Sequence, residues 1–166
     1  MRVRGSYESR GESMDHRMDV TSAGLQRFRP AIYGVLIQDG HVLLVRAPKT
    51  FLGVVGFPGG GIELGEAPLD ALRREFTEET GLEVEPVRVL WATNQLHRAR
   101  LNPVQQLIAT HWEVRLVGGT LMPQGNGDDV ETAFFCPLRA LPVAEMLGVD
   151  LEVVPLLVGL SDRGTG

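Results

Sequence analysis

Residues Gly60 to Leu82 read GGIELGEAPLDALRREFTEETGL, and this stretch decides what the rest of the chain must be. Its second half predicts a helix from Ala67 to Thr80. Pro68 is tolerated in the first turn, and Gly81 stands as a C-terminal stop. At about 100° per residue, Glu75, Glu78 and Glu79 fall within one arc of roughly 100°, so three carboxylates share a face. Leu69, Leu72 and Phe76 form the adjoining apolar arc. The acidic face therefore belongs at the margin of a core, beside a cleft, rather than opposite it in bulk water. Three like charges repel, and hard divalent cations such as magnesium or manganese would neutralise them and then receive phosphate oxygens. An arbitrary acidic helix face is more often merely solvated, and Arg74 reads equally as an i,i+4 partner of Glu78.

Outward from this helix the chain alternates in period. On the N-terminal side, Gly53, Gly56, Gly59, Gly60 and Gly61 surround Pro58 in a segment that must turn tightly or approach something closely. Before it, Arg29 to Ile37 and His41 to Arg46 are strand-like runs joined by Asp39-Gly40, a two-residue hairpin signal. On the C-terminal side, Val84 to Asn94 and Leu107 to Leu116 read as two longer strands, paired antiparallel, with the polar segment Gln95 to Asn102 between them. A short strand follows from Glu131 to Cys136, then a short helix around Val143 to Leu147 and a C-terminal helix around Leu151 to Leu160. Pro155 weakens that last helix, since proline is tolerated only near a helix start. Periodicity alone yields a mixed α and β domain.

Spacing narrows the reading. Gly60, Glu66, Arg74, Glu75, Phe76, Glu78, Glu79, Gly81 and Leu82 occupy every fixed position of G-x5-E-x7-R-E-U-x-E-E-x-G-U, where U is bulky and apolar. The segment thus resembles the Nudix box, and the chain is identified as a member of the Nudix hydrolase family. The preceding hairpin, the Phe57-Pro58-Gly59-Gly60 approach and the Phe134-Phe135-Cys136-Pro137-Leu138 segment are also similar to the family's order of elements. The resemblance implies an α/β Nudix fold: a mixed, partly antiparallel sheet sandwiched between helices (α/β/α). It implies that Glu75, Glu78 and Glu79 are metal ligands, joined by the backbone carbonyl of Gly60, with Mg2+ as cofactor and Mn2+ as a substitute. Arg74 is similar to the arginine that holds and orients the box carboxylates, while Glu66 and Gly81 fall to structural or supporting roles. Glu63, at a variable box position, reads as a solvated loop acid. The general base of relatives often comes from a later loop, which points to Asp128, Asp129 and Glu131. Asp129 is the choice among them, against the alternative that Gly125 to Asp129 is only a turn.

The implied activity is hydrolysis of a diphosphate linkage in a nucleoside diphosphate joined to another group, or in a nucleoside triphosphate, by water attack at phosphorus. A non-catalytic Nudix module that senses a nucleotide or binds a partner is the alternative, and a diphosphate-dependent isomerase a third. Neither eroded box carboxylates nor an attached DNA-binding segment favours the module. Asn94, Gln95 and Arg98 are candidates for substrate contact; His97, Arg98 and Arg100 form a basic island that could meet a distal phosphate but reads better as an exposed loop, and Trp91 and Trp112 read as strand packing. The box does not name the nucleotide. No tyrosine follows Tyr33, and the proline that many ADP-ribose hydrolases carry downstream of the box has no counterpart at that place.

Composition agrees with a small-molecule enzyme. With 166 residues the chain has the length of one domain, expected over residues 28–166 behind an N-terminal extension, residues 1–27, that lacks the apolar stretch of a secretory signal. A net charge of -5 gives no attraction to a polyanion, so stable nucleic-acid binding is not expected. The longest apolar runs fall far below the roughly 20 residues of a membrane span. The single Cys136 cannot form an internal disulfide and reads as a buried small apolar residue, which fits a reducing cytoplasm. The apolar C-terminal run could contribute to a homodimer.

Overall fold

In the computed structural model, which describes residues 24–99, 102–146 and 148–161, the strand-forming run after Gln26 becomes β1 (Arg27–Gln38). Asp39 and Gly40, both at positive φ (47° and 70°), turn it back into β2 (His41–Arg46), which is the expected hairpin. Two short strands follow, β3 (Val55–Gly56) and β4 (Gly59–Gly61), and then helix α1 (Pro68–Thr80). The chain continues through β5 (Leu82–Ala92), β6 (His97–Arg98), β7 (Gln105–Gly119) and β8 (Thr132–Pro137) to α2 (Gly148–Leu151) and α3 (Val154–Ser161). The expected N-terminal extension lies outside the described residues up to residue 23.

These strands form one mixed sheet with the order β3-β2-β1-β7-β5. β1 runs parallel to β7 from Arg27 opposite Gln105 to Leu36 opposite Val114, and β5 pairs antiparallel with β7, as their spacing predicted. The hairpin partners β1 and β2 stay paired only at Ile37 and Gln38; earlier, Ala31, Ile32 and Tyr33 pair instead with β4. The two strands therefore part, and the gap between them becomes the cleft described below.

Both faces of the sheet are covered, so its central strand is apolar on both sides. Ile32 and Leu36 of β1 pack with Ala71, Leu72 and Phe76 of α1. Ala31, Tyr33 and Val35 point the other way and pack with Val149 and Leu157 of the C-terminal helices and with Val153 between them. This is the expected α/β/α arrangement. Cys136 is buried in the second of these cores, as its neighbours predicted.

Three local details depart from the expected elements. The C-terminal helix breaks at Glu152 and Val153. A continuous helix would force the Pro155 ring against the carbonyl of Leu151, and restarting at Val154 puts the proline in a first turn. The helix around Val143 is a single 3-10 turn, Val143–Glu145, and Leu147 lies outside the described residues. The segment after Asn94 contains β6, which pairs with Gln106 and Leu107 of β7.

Candidate active site

Helix α1 is set in place by its ends and by one missing side chain. The Gly81 cap has φ 74°, and its N–H donates to the Thr77 carbonyl at 2.8 Å, so the helix stops where the glutamates end. Phe76 and Leu72 anchor the buried side. Against the other side lies β4, where a Cβ on residue 60 would fall 2.8 Å from the Glu75 carboxylate. A side chain at this position would push the Glu75 carboxylate aside.

Arg74 ties the acidic groups together. Its Nε and Nη2 donate to the two carboxylate oxygens of Glu66 at 2.8 and 2.9 Å, a bidentate pair. Its Nη1 lies 3.0 Å from Glu75 and 3.2 Å from Glu78, and Nη2 also reaches the Gly61 carbonyl at 3.3 Å. These bonds raise the arginine's own pKa and, with the Glu63 amide, hold Glu66 down at about 2.

Glu79 is different. It is 5% exposed, and its Oε2 accepts the Gly59 amide at 2.7 Å, while no arginine reaches it among the described residues. Burial pushes its pKa well above the ordinary range, the Gly59 amide opposes this, and Asp129, Glu75 and Glu78 add to the rise. Burial likewise raises Glu75, against the pull of Arg74. Glu75, Glu79 and Asp129 line one cleft of about 470 Å³ with Arg29, Tyr33, Phe57 and Asp150. Asp129 comes to it from a loop organised by Asn126, whose Oδ1 accepts the amides of Asp128 and Val130 and whose Nδ2 donates to Asp129 Oδ1 at 2.8 Å.

A family model described as the NUDIX domain matches residues 27–157, which take in the sheet, α1 and this cleft. The chain belongs to the Nudix family. It is similar to an RNA pyrophosphohydrolase of Pseudomonas fluorescens (strain SBW25), 41% identical over 92 residues, 55% of this chain and 55% of that protein. An ADP-ribose pyrophosphatase of Methanocaldococcus jannaschii is 33% identical over 113 residues, 68% of this chain and 63% of that one. The chain thus spans little more than half the length of these curated relatives. Among solved structures, a NUDIX hydrolase from Nitrosomonas europaea shares the fold with a TM-score of 0.68 at 17% identity, over 81% of this chain and 90% of that one.

Of the box positions of this Nudix chain, Glu75, Glu79 and Gly60 reach the cleft, while Glu66, Arg74 and Glu78 do not line it. Glu78 is exposed and engaged by Arg74. Glu63 is exposed at the rim, with its amide on Glu66. No three acidic, His or Cys side chains among the described residues stand as a closed metal cage. The donor set nevertheless fits a hard divalent cation: it is all oxygen, and Glu79 is a buried carboxylate that no arginine bonds among the described residues, in one cleft with Glu75 and Asp129.

The substrate-contact candidates are not brought to the cleft. Asn94, Gln95 and Arg98 are absent from its lining: Gln95 donates to Glu152 at 3.1 Å, and Arg98 Nη1 donates to the Pro103 carbonyl at 2.6 Å. Arg100 lies outside the described residues. Trp91 packs edge-on against His97 and His111, and Trp112 packs against the α1 core, as strand residues should. Sequence reasoning missed Arg29, Tyr33, His111 and Asp150. The His111 Nε2 and Asp150 Oδ1 atoms are 2.7 Å apart, both residues fully buried, with Tyr33 stacked on the imidazole at 4.9 Å. Alternation along β1 could have flagged Arg29 and Tyr33, since both share the Ala31 face; the His111–Asp150 pair carries no sequence signal.

Proposed function

We propose that the protein is a metal-dependent pyrophosphohydrolase that cleaves a nucleoside diphosphate linked to another group, or a nucleoside triphosphate, by water attack at phosphorus. The observation that carries this reading is the convergence of Glu75, Glu79 and Asp129 in one cleft, beside an arginine that ties Glu66, Glu75 and Glu78 together. The two relatives are named for pyrophosphate hydrolysis on RNA and on ADP-ribose, and both names imply a nucleotide-borne diphosphate. A non-catalytic module is disfavoured because every box acid is present. We take the compartment to be the cytoplasm, where an unpaired Cys136 stays reduced; no described helix is long and apolar enough to cross a membrane.

In this mechanism Glu75, Glu79 and the Gly60 carbonyl, which line the cleft, and Glu78, beside it on α1, would hold Mg2+, with Mn2+ as a substitute. When bound, the metal neutralises the carboxylates, polarises the phosphoryl oxygens and activates water. Gly59 holds Oε2 of Glu79, which leaves Oε1 as the oxygen that would meet the ion. Arg74 keeps Glu75 and Glu78 in register without touching substrate. Asp129 takes the proton from the attacking water: Asn126 occupies Oδ1, which leaves Oδ2 as the basic atom.

The test is a panel of nucleoside triphosphates, sugar-linked nucleoside diphosphates and dinucleotides with Mg2+, scored by release of phosphate or nucleoside monophosphate. At least one member should turn over, chelation should stop it, and Glu79→Gln should lower kcat/KM by about 10²-fold or more. No metal-dependent turnover of any member, with Glu79→Gln and Glu78→Gln indistinguishable from wild type, sinks the proposal. Full turnover by Asp129→Asn removes that residue from the mechanism.

A further inference from the structure

Arg29 stands in the cleft with no group pairing it among the described residues. Alternate residues of a strand point to one face, so Arg29 shares the side of Ala31 and Tyr33, and its guanidinium lies over Gly61, where an added Cβ would sit 3.6 Å from Nη1. Arg46 is paired with Glu145, Arg73 with Asp70 and Glu85, and Arg88 with Glu113. Arg29 makes no hydrogen bond or ion pair among the described residues. Yet its surroundings are acidic. Among the described residues lining the cleft it is the only cation, against Glu63, Glu75, Glu79, Asp129 and Asp150. Its field reaches the interior: the Tyr33 phenol, raised by burial and then by Asp150, is pulled back by Arg29.

A guanidinium held this way keeps its fork of donors open. Carboxylates cannot bind a phosphate directly, so the acidic end of the cleft can take only oxygens bridged by a cation. A diphosphate presents two phosphoryl groups, and the second needs a positive partner of its own. The planar donors of arginine match two non-bridging oxygens at once.

We propose that Arg29 binds the oxygens of one phosphoryl group of the substrate diphosphate, while the Glu75–Glu79 end of the cleft takes the other. This rests on the reading of the cleft as the diphosphate site. It makes Arg29 a substrate-binding residue whose guanidinium lies in van der Waals reach of position 61. Because residue 29 is exposed at the start of a strand, substituting it spares the core.

The experiment uses the full chain and a non-hydrolysable α,β-methylene nucleoside diphosphate with Mg2+, titrated by calorimetry, together with steady-state kinetics on whichever diphosphate the wild type cleaves. Arg29→Gln should weaken the analogue by about 10- to 100-fold, the loss of a charge-assisted bidentate contact. The rise in KM should exceed the fall in kcat, Arg29→Lys should recover only part, and the Arg29 Nε–Hε resonance should move on addition of the analogue to wild type. Arg88→Gln removes an equal charge outside the cleft and should leave affinity unchanged. Equal affinity and equal KM for Arg29→Gln and wild type, with the wild type active, overturn the role of Arg29 alone. A wild type that neither binds the analogue nor cleaves any nucleotide overturns the diphosphate reading itself.

Discussion

Arg74 and Glu66 illustrate how much a single pair can be read from spacing. Their positions in the box predicted an arginine that holds carboxylates, and the bidentate contact at 2.8 and 2.9 Å is the geometry such a role requires. A pH signature follows. The Arg74 bond holds Glu66 at about 2 in the folded protein, below its ordinary value of 4.5. A carboxyl depressed by folding contributes stability that is fully present above its unfolded value and is lost as pH falls through its folded one. Glu66→Gln should therefore lower Tm at neutral pH, and the gap to wild type should shrink between about pH 4.5 and 2. A gap independent of pH would mean that the pair does not stabilise the fold. For Arg29, alternation along β1 gives only the face that it shares with Tyr33, and the cleft alone gives it a role.

At the scale of elements, α1 was legible because its determinants are local: the apolar arc, the proline in the first turn and the glycine cap all lie within the helix or next to it. How closely it approaches the sheet was not. Gly34, in the middle of β1, faces α1, and a Cβ there would meet the Phe76 ring at 2.7 Å and Leu72 at 3.3 Å. Gly34→Ala should thus cost about 1–3 kcal/mol, the range for overpacking a filled core, measured by urea denaturation. Activity should fall as well, since pushing α1 outward moves Glu75 and Glu79. A neutral Gly34→Ala would show that the helix is free to shift. The break between α2 and α3 belongs to the same scale: Pro155 announced a problem in the C-terminal helix, but only packing decided that Val153 would be buried at the break.

At the scale of the whole molecule, the His111–Asp150 pair joins β7 to α2 across the core behind the cleft. Burial pushes the Asp150 carboxyl up, and the His111 bond pulls it down. Asp150→Leu alone leaves a buried imidazole without its partner and should cost about 1–3 kcal/mol. Replacing both residues, His111→Leu with Asp150→Leu, should be less damaging than the two single losses added together, as measured in a denaturation cycle. Additive losses would mean that the two side chains do not stabilise each other. The amino-acid sequence by itself determined the hairpin, the acid-bearing helix and the family, because these depend on periodicity, turn chemistry and spacing within short stretches, and the family resemblance in turn implied the α/β/α class. The tertiary structure decided which side chains meet: Arg29 from β1, Asp129 from a late loop and Asp150 from α2 share one cleft, whereas Asn94, Gln95 and Arg98 stay outside it. The reason is physical. The cleft exists because β1 leaves β2 for β4 and β7, and pairings between distant strands arise from burial on both faces of a sheet, which no local pattern records.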